Sequence, residues 1–170
     1  MTKVVLVTGG AGFIGKHTVR ELTKAGFRVI VADRKAEPKD IECRYYQVDV
    51  AGEEFEKVFE ENEIDYVIHL AALPSVAESI KTPIVDCRDN YQATVNVCTL
   101  AKKYGVKKVI FSSTAAVYAN PQYLPVDEKH PTSYLSPYAI TKNASENFIR
   151  YCGIDYIIFR YILPQAVIRK

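Results

Sequence analysis

The most informative spacing in this sequence is that of Tyr138 and Lys142 in Tyr138-Ala139-Ile140-Thr141-Lys142. An i, i+4 pair on a helix puts a phenol and an ammonium on one face. A free tyrosine titrates near 10 and is a poor base at neutral pH, whereas a neighbouring ammonium stabilises the phenolate and lets it take a proton from a hydroxyl. The spacing recurs at Tyr104 and Lys108, but that pair spans Gly105 and runs into a strand pattern, so its side chains need not share a face. Phe111-Ser112-Ser113-Thr114 adds hydroxyls at the end of a strand-like run. Ligands of open α/β sheets bind beyond the carboxyl ends of strands, so Thr114 is placed to hydrogen-bond a reacting hydroxyl. A hydroxyl-rich turn after a strand is the plain alternative for these residues.

A second cluster is made of absent side chains. Gly9-Gly10-Ala11-Gly12-Phe13-Ile14-Gly15 lies between the apolar run Val4–Val7 and a helical pattern, the context in which a glycine-rich turn binds phosphate. Gly9 permits the tight turn, Gly12 lets amides approach a diphosphate, and Gly15 packs the helix against the strand. The free N–H groups that open the helix face the anion. Gly10 to His17 nearly spells the mononucleotide motif G-x-x-x-x-G-K-[S/T], but His17 stands where a magnesium-binding hydroxyl is needed, and Thr18 falls about a third of a turn too late. Asp33 follows Gly15 by 18 residues, where a dinucleotide-binding turn places a carboxylate for the ribose hydroxyls. It favours NAD by repelling a 2′-phosphate, while the adjacent Arg34 would welcome one. Asp49 reads either as an acceptor for the adenine amino group or as a helix N-cap before Gly52. A bound cationic nicotinamide would join the Lys142 ammonium in stabilising the Tyr138 phenolate.

These residues need a frame that brings strand ends together. Six β-branched runs, Lys3–Thr8, Arg28–Asp33, Arg44–Val48, Asp65–Leu70, Lys108–Ser112 and Asp155–Tyr161, alternate with helical patterns near Phe13–Ala25, Gly52–Glu61, Ile84–Tyr104 and Pro137–Cys152. The alternation predicts an α/β fold with a parallel sheet and right-handed crossovers, and unbroken apolar runs such as Val4–Val7 suit strands buried on both faces. Gly26, Gly105 and Gly153 predict left-handed helix ends. The irregular stretch from Ala119 to Tyr134, with Pro121, Pro125 and Pro131, is long enough to predict a border of the site.

Composition narrows the partners. A chain of 170 residues predicts a single domain over 1–170. With 22 Lys+Arg against 20 Asp+Glu, the surplus of +2 is too small for a nucleic-acid footprint. The first apolar run is too short for a signal-peptide core or a membrane span, which predicts a cytoplasmic protein without membrane contact. Cys43, Cys87, Cys98 and Cys152 lack C-x-x-C spacing, and His17, His69 and His130 lie far apart, so reduced thiols and no metal are expected.

Taken in order, these motifs resemble the extended short-chain dehydrogenase/reductase family, in its nucleotide-sugar branch of UDP-glucose 4-epimerase-like enzymes. The resemblance runs from Lys3 to Tyr161 and is carried by Thr8–Gly15, His69-Leu70-Ala71-Ala72, Phe111–Thr114 with Val117-Tyr118, Pro125-Val126-Asp127-Glu128, and Ser136-Pro137-Tyr138 through Lys142. It implies a three-layer Rossmann fold, a doubly wound parallel sheet in the order 3-2-1-4-5-6, with NAD rather than NADP as cofactor. Gly9, Gly12, Phe13, Ile14 and Gly15 would hold the diphosphate, with Asp33, Arg34, Asp49 and Val50 at the adenosine end. Leu70, Ala71, Ala72, Asn90, Ser112, Ser113 and Tyr161 would complete the cofactor contacts. The chemistry implied is transient oxidation at C4 of a nucleotide sugar, or of another small hydroxylated substrate, with Tyr138 as base, Thr114 assisting and Lys142 holding the nicotinamide ribose.

The resemblance also implies a homodimer through the helices near 84–104 and 137–152. Ile162-Leu163-Pro164-Gln165 stands where the family has an asparagine that contacts the nucleotide sugar. The substrate lobe that the family carries beyond this point is expected to be missing, which leaves an NAD-binding module without independent catalysis as the alternative function. Ile162, Leu163, Val167 and Ile168 are then expected to face that lobe or a partner.

Overall fold

The computed structural model describes residues 2–39 and 43–161. The expectations for Ile162–Gln165, Val167 and Ile168 lie outside the described residues. The apolar runs form β1 (Val4–Thr8), β2 (Arg28–Asp33), β3 (Arg44–Gln47), β4 (Tyr66–His69), β5 (Lys108–Thr114) and β6 (Asp155–Tyr161). All neighbours pair in parallel, and the strand order is β3-β2-β1-β4-β5-β6, as expected. Between them lie α1 (Phe13–Lys24), α2 (Glu56–Glu60), α3 (Val76–Lys81), α4 (Pro83–Asp86), α5 (Ala93–Lys103) and α6 (Pro137–Tyr151).

The unbroken apolar runs work because successive strand residues point to opposite faces. Val4, Leu6, Ile30 and Ala32 pack with Phe55, Val58, Phe59, Val97 and Leu100 on the side of α2 and α5. Val5, Val7, Val29 and Val31 pack with Val19 of α1 on the other. Among the described residues no element covers the α1 side of β6, where Ile157, Phe159 and Tyr161 are 40%, 46% and 41% exposed. No helix among the described residues is long and apolar enough to cross a membrane.

Three local differences from expectation matter for the site. β5 runs two residues past Ser112, because its register with β6 continues through Ser113↔Arg160 and Thr114↔Tyr161. The helix expected over 84–104 is divided into α4, a π-helical turn at Cys87–Gln92, and α5. That turn, wider than an α-helical one, carries the buried Asp89 and Asn90. α3 was not expected; its start is capped by Ser75, whose hydroxyl accepts from the Glu78 amide. Gly26, Gly105 and Gly153 all take positive φ at helix ends, as expected.

Candidate functional site

The strand order reverses between β2 and β4 on either side of β1, and beyond their carboxyl ends lies a cleft of about 530 Å³. Gly9, Gly12, Phe13, Ile14 and Gly15 line its floor. Asp33, Arg34, Asp49 and Val50 line one side, and Leu70, Ala71, Ala72 and Ser112 the other. Lys35, Leu73, Pro74 and Asp89 join the lining without having been singled out in the sequence. Of the remaining expected residues, Asn90, Ser113, Thr114, Tyr138, Lys142 and Tyr161 are not part of this lining. Nor is any residue of the proline-rich loop, 119–134, which runs between the turn after β5 and the start of α6.

The glycines of the floor are not equivalent. Gly9 has φ +73, and a Cβ there would come within 2.9 Å of the Leu70 and Ala71 backbone. A Cβ at Gly15 would stand 2.2 Å from the Gly9 carbonyl oxygen. Both are explained by packing. Gly12 is under less pressure: its backbone is extended (φ −75, ψ 174), and a Cβ would make one tight contact, 3.1 Å from the Gly9 oxygen. Its missing side chain leaves space in the cleft that it lines. No side chain caps α1 there, whereas Ser136 caps α6 through the Ala139 amide. The first amides of α1 are thus left for a ligand.

Asp33 is tied to this floor. Its Oδ2 accepts from the Ala11 amide at 3.0 Å and its Oδ1 from the Lys35 amide at 2.9 Å. A carboxylate has about four acceptor positions, so two amides leave room for hydroxyl donors. Asp49 does not cap a helix: its Oδ1 accepts from the Ala51 amide at 3.0 Å in a tight turn, and its Oδ2 accepts from Arg88.

The wall at Leu70–Leu73 is held from behind by buried polar groups. Thr94 donates to the Asn90 carbonyl (2.7 Å), so at 3.1 Å from His69 Nε2 its oxygen accepts, and Nε2 carries the proton. His69 Nδ1 then accepts from the Thr8 hydroxyl at 2.7 Å. Burial, with the Lys142 ammonium adding, lowers the His69 pKa to about 3, and the ring stays neutral. Asn90, expected at the cofactor, spends its side chain instead on Leu73: its Oδ1 accepts from the Leu73 amide at 2.7 Å, and its Nδ2 donates to Asp86 at 2.7 Å. It positions the wall without facing the cleft.

Tyr138 opens α6 and Lys142 lies one turn on, while Thr114 ends β5. The Lys142 ammonium, 3% exposed, does not turn to the phenol: it donates to the Ser112 carbonyl at 2.8 Å and sits 4.7 Å from the centre of the Phe111 ring. Burial lowers its pKa to about 8, against the opposing pull of Asp86 and Glu146. The Tyr138 phenol is raised above its ordinary value, chiefly by burial, with Asp86 adding and a hydrogen bond from Thr114 opposing. The expected closeness of phenol and ammonium is thus not a direct hydrogen bond, because the ammonium is spent on the Ser112 carbonyl. Ser113 also differs: its hydroxyl donates to Glu146, inside the protein. Tyr161 stacks on Phe159, with ring centroids 5.9 Å apart, on the exposed β6 face.

Sequence reasoning missed the acids beneath this cluster. Glu146, with a fully buried side chain, accepts from Arg160 at 2.7 Å, from Arg150 at 3.0 Å and from Ser113. Asp86, also buried, accepts from Thr141 at 2.7 Å. The i, i+4 spacing of Lys142 and Glu146 was a legible signal for one of them.

Comparison with known proteins adds three findings. Residues 5–164 match the model of a family described as NAD dependent epimerase/dehydratase. The UDP-glucose 4-epimerase of Bacillus subtilis is 39% identical over 86% of this chain and 47% of its own, and that of Homo sapiens is 36% identical over 98% and 55%. The crystal structure of UDP-glucose 4-epimerase from Bifidobacterium longum in complex with NAD+ and UDP superposes with a TM-score of 0.88 at 38% identity, covering 94% of this chain and 53% of that one. The chain thus spans about half the length of the relatives it matches.

Proposed function

Because the chain belongs to the NAD dependent epimerase/dehydratase family, we propose that its cleft binds NAD and that β5 and α6 serve the 4-epimerisation of a nucleotide sugar of the UDP-glucose type. The observation that carries the reading is Gly12, a glycine with no conformational need to be one, beside uncapped helix amides and a carboxylate one strand over.

The residues present fit a dinucleotide. The α1 amides take the diphosphate, and Asp33 accepts from the adenosine ribose hydroxyls. The small side chains of Ala71 and Ala72 leave room along the wall. Bound NAD would supply an acceptor for the hydride leaving the sugar C4. The Tyr138 phenol takes the proton of the C4 hydroxyl, and the Thr114 hydroxyl holds that shared proton. Lys142, anchored on the Ser112 carbonyl, donates toward the nicotinamide ribose. Asn90 and Ser113 act as positioning residues, the first on Leu73 and the second through Glu146.

We take the protein to be a cytoplasmic homodimer paired through the helices near 84–104 and 137–152. Exposed Ile84, Val85, Ile140 and Tyr151 support that pairing, and light scattering of the purified chain measures it. A second reading, a dinucleotide-binding module without turnover of its own, draws on the exposed β6 face at Ile157, Phe159 and Tyr161. Calorimetric titration with NAD is expected to show saturable binding, and no heat at millimolar NAD rejects both readings. Interconversion of UDP-glucose and UDP-galactose, lost in Tyr138→Phe, is expected from the first. NAD binding without any turnover decides for the second.

A further inference from the structure

The rim of the cleft beside Asp33 carries a chain of alternating charges. Arg34 Nη2 donates to Asp89 Oδ2 at 2.7 Å, Arg88 Nη1 donates to Asp89 Oδ1 at 2.8 Å, and Arg88 Nη2 donates to Asp49 Oδ2. Asp89 comes from the π-helical turn, far along the sequence from Arg34, and its side chain is only 4% exposed. Asp33, Arg34, Asp49 and Asp89 all line the cleft.

An arginine directly after the ribose-reading carboxylate has the planar fork that suits a phosphate monoester. Here the fork is occupied. Turning Arg34, whose own side chain is 53% exposed, toward the ribose would leave the buried Asp89 carboxylate with Arg88 as its one guanidinium partner. Lys35 lies on the same rim, but its ammonium is a flexible point charge without a fork.

We infer that Asp89 is a specificity-determining residue of this cleft: by holding the Arg34 guanidinium it leaves Asp33 to set the charge at the adenosine ribose, so the site takes a dinucleotide with a free 2′-hydroxyl over its 2′-phosphorylated form. The inference rests on the proposed NAD reading of the cleft and adds to it the residue that silences Arg34.

The test is calorimetric titration of the purified chain with NAD and with NADP, reading the ratio of the two dissociation constants. The wild type favours NAD. Arg34→Ala leaves the ratio within about twofold, because the guanidinium is already withdrawn. Asp89→Asn moves the ratio toward NADP by about tenfold, the worth of one charge-assisted contact to a phosphate. The double variant Asp89→Asn/Arg34→Ala returns the ratio to the wild-type value, which Lys35 acting alone would not do. A tenfold drop in relative NADP affinity in Arg34→Ala overturns the inference, since Arg34 would already be reading the phosphate. An unchanged ratio in a folded, NAD-binding Asp89→Asn overturns it too. Where Asp89→Asn does not fold, Arg34→Ala decides by itself. Failure of the wild type to bind NAD overturns the reading of the cleft and this inference together, which tells the two failures apart.

Discussion

The two ends of the sheet are built from opposite materials. The β1–β2 end makes its site from backbone and empty space: helix amides, a turn without side chains, and one carboxylate tied to that turn. The β5–α6 end makes its site from buried charge, with Lys142, Glu146 and Asp86 withdrawn from water beneath Tyr138 and Thr114 and Arg160 partly so. The difference teaches where each site is fragile. Space is lost by adding atoms and costs the fold little. Buried charge is lost by removing a partner, and the fold feels it first.

The largest test of that contrast is Glu146→Leu. It strands Arg160, whose side chain is 15% exposed, and is expected to destabilise the protein by about 3–5 kcal/mol in urea unfolding. Pairing it with Arg160→Met is expected to recover most of the loss. A single variant within about 1 kcal/mol of wild type would mean that this end is not held by charge.

A second test uses pH. The folded pKa of Lys142 lies near 8, below its ordinary 10.5, so between these values the unfolded chain binds the proton that the folded chain gives up. Stability therefore rises with pH across that window. The penalty for burying the charged form is fully present below about 8 and gone above about 10.5. Relative to Lys142→Met, the wild type is expected to gain on the order of 3 kcal/mol from pH 8 to 10.5. Parallel stability curves for the two proteins would remove Lys142 from the list of strained groups.

The smallest effect on the fold, with a large one on binding, is expected at Gly12→Val. Its Cβ meets only the Gly9 oxygen, so melting should change by less than about 1 kcal/mol. The side chain fills the place of the diphosphate, and NAD affinity should fall by roughly a hundredfold or more. Equal losses of stability and binding would make Gly12 a packing residue like Gly15.

The same contrast governs what was legible beforehand. The strands, the glycine turn and the carboxylate at Asp33 follow from short-range patterns: an apolar run, three glycines at fixed spacing, an acid at a strand end; the strand order comes from the family resemblance. The pair Tyr138 and Lys142 was visible as well, but the direction of the ammonium was not. That depends on the Ser112 carbonyl, offered by a strand 30 residues away. The family resemblance implies Asn90 as a cofactor contact; in the π-helical turn its Oδ1 accepts from the Leu73 amide.

By itself, then, the sequence determined which residues lie at the carboxyl ends of the strands, because alternation of apolar runs and helices is a local property of the chain. Only the tertiary structure decided which charges those residues meet. The pairs Asp86–Thr141 and Arg34–Asp89 join elements distant in the chain, Glu146–Arg160 joins two consecutive ones, and a buried charge takes its partner from whatever the fold brings within about 3 Å.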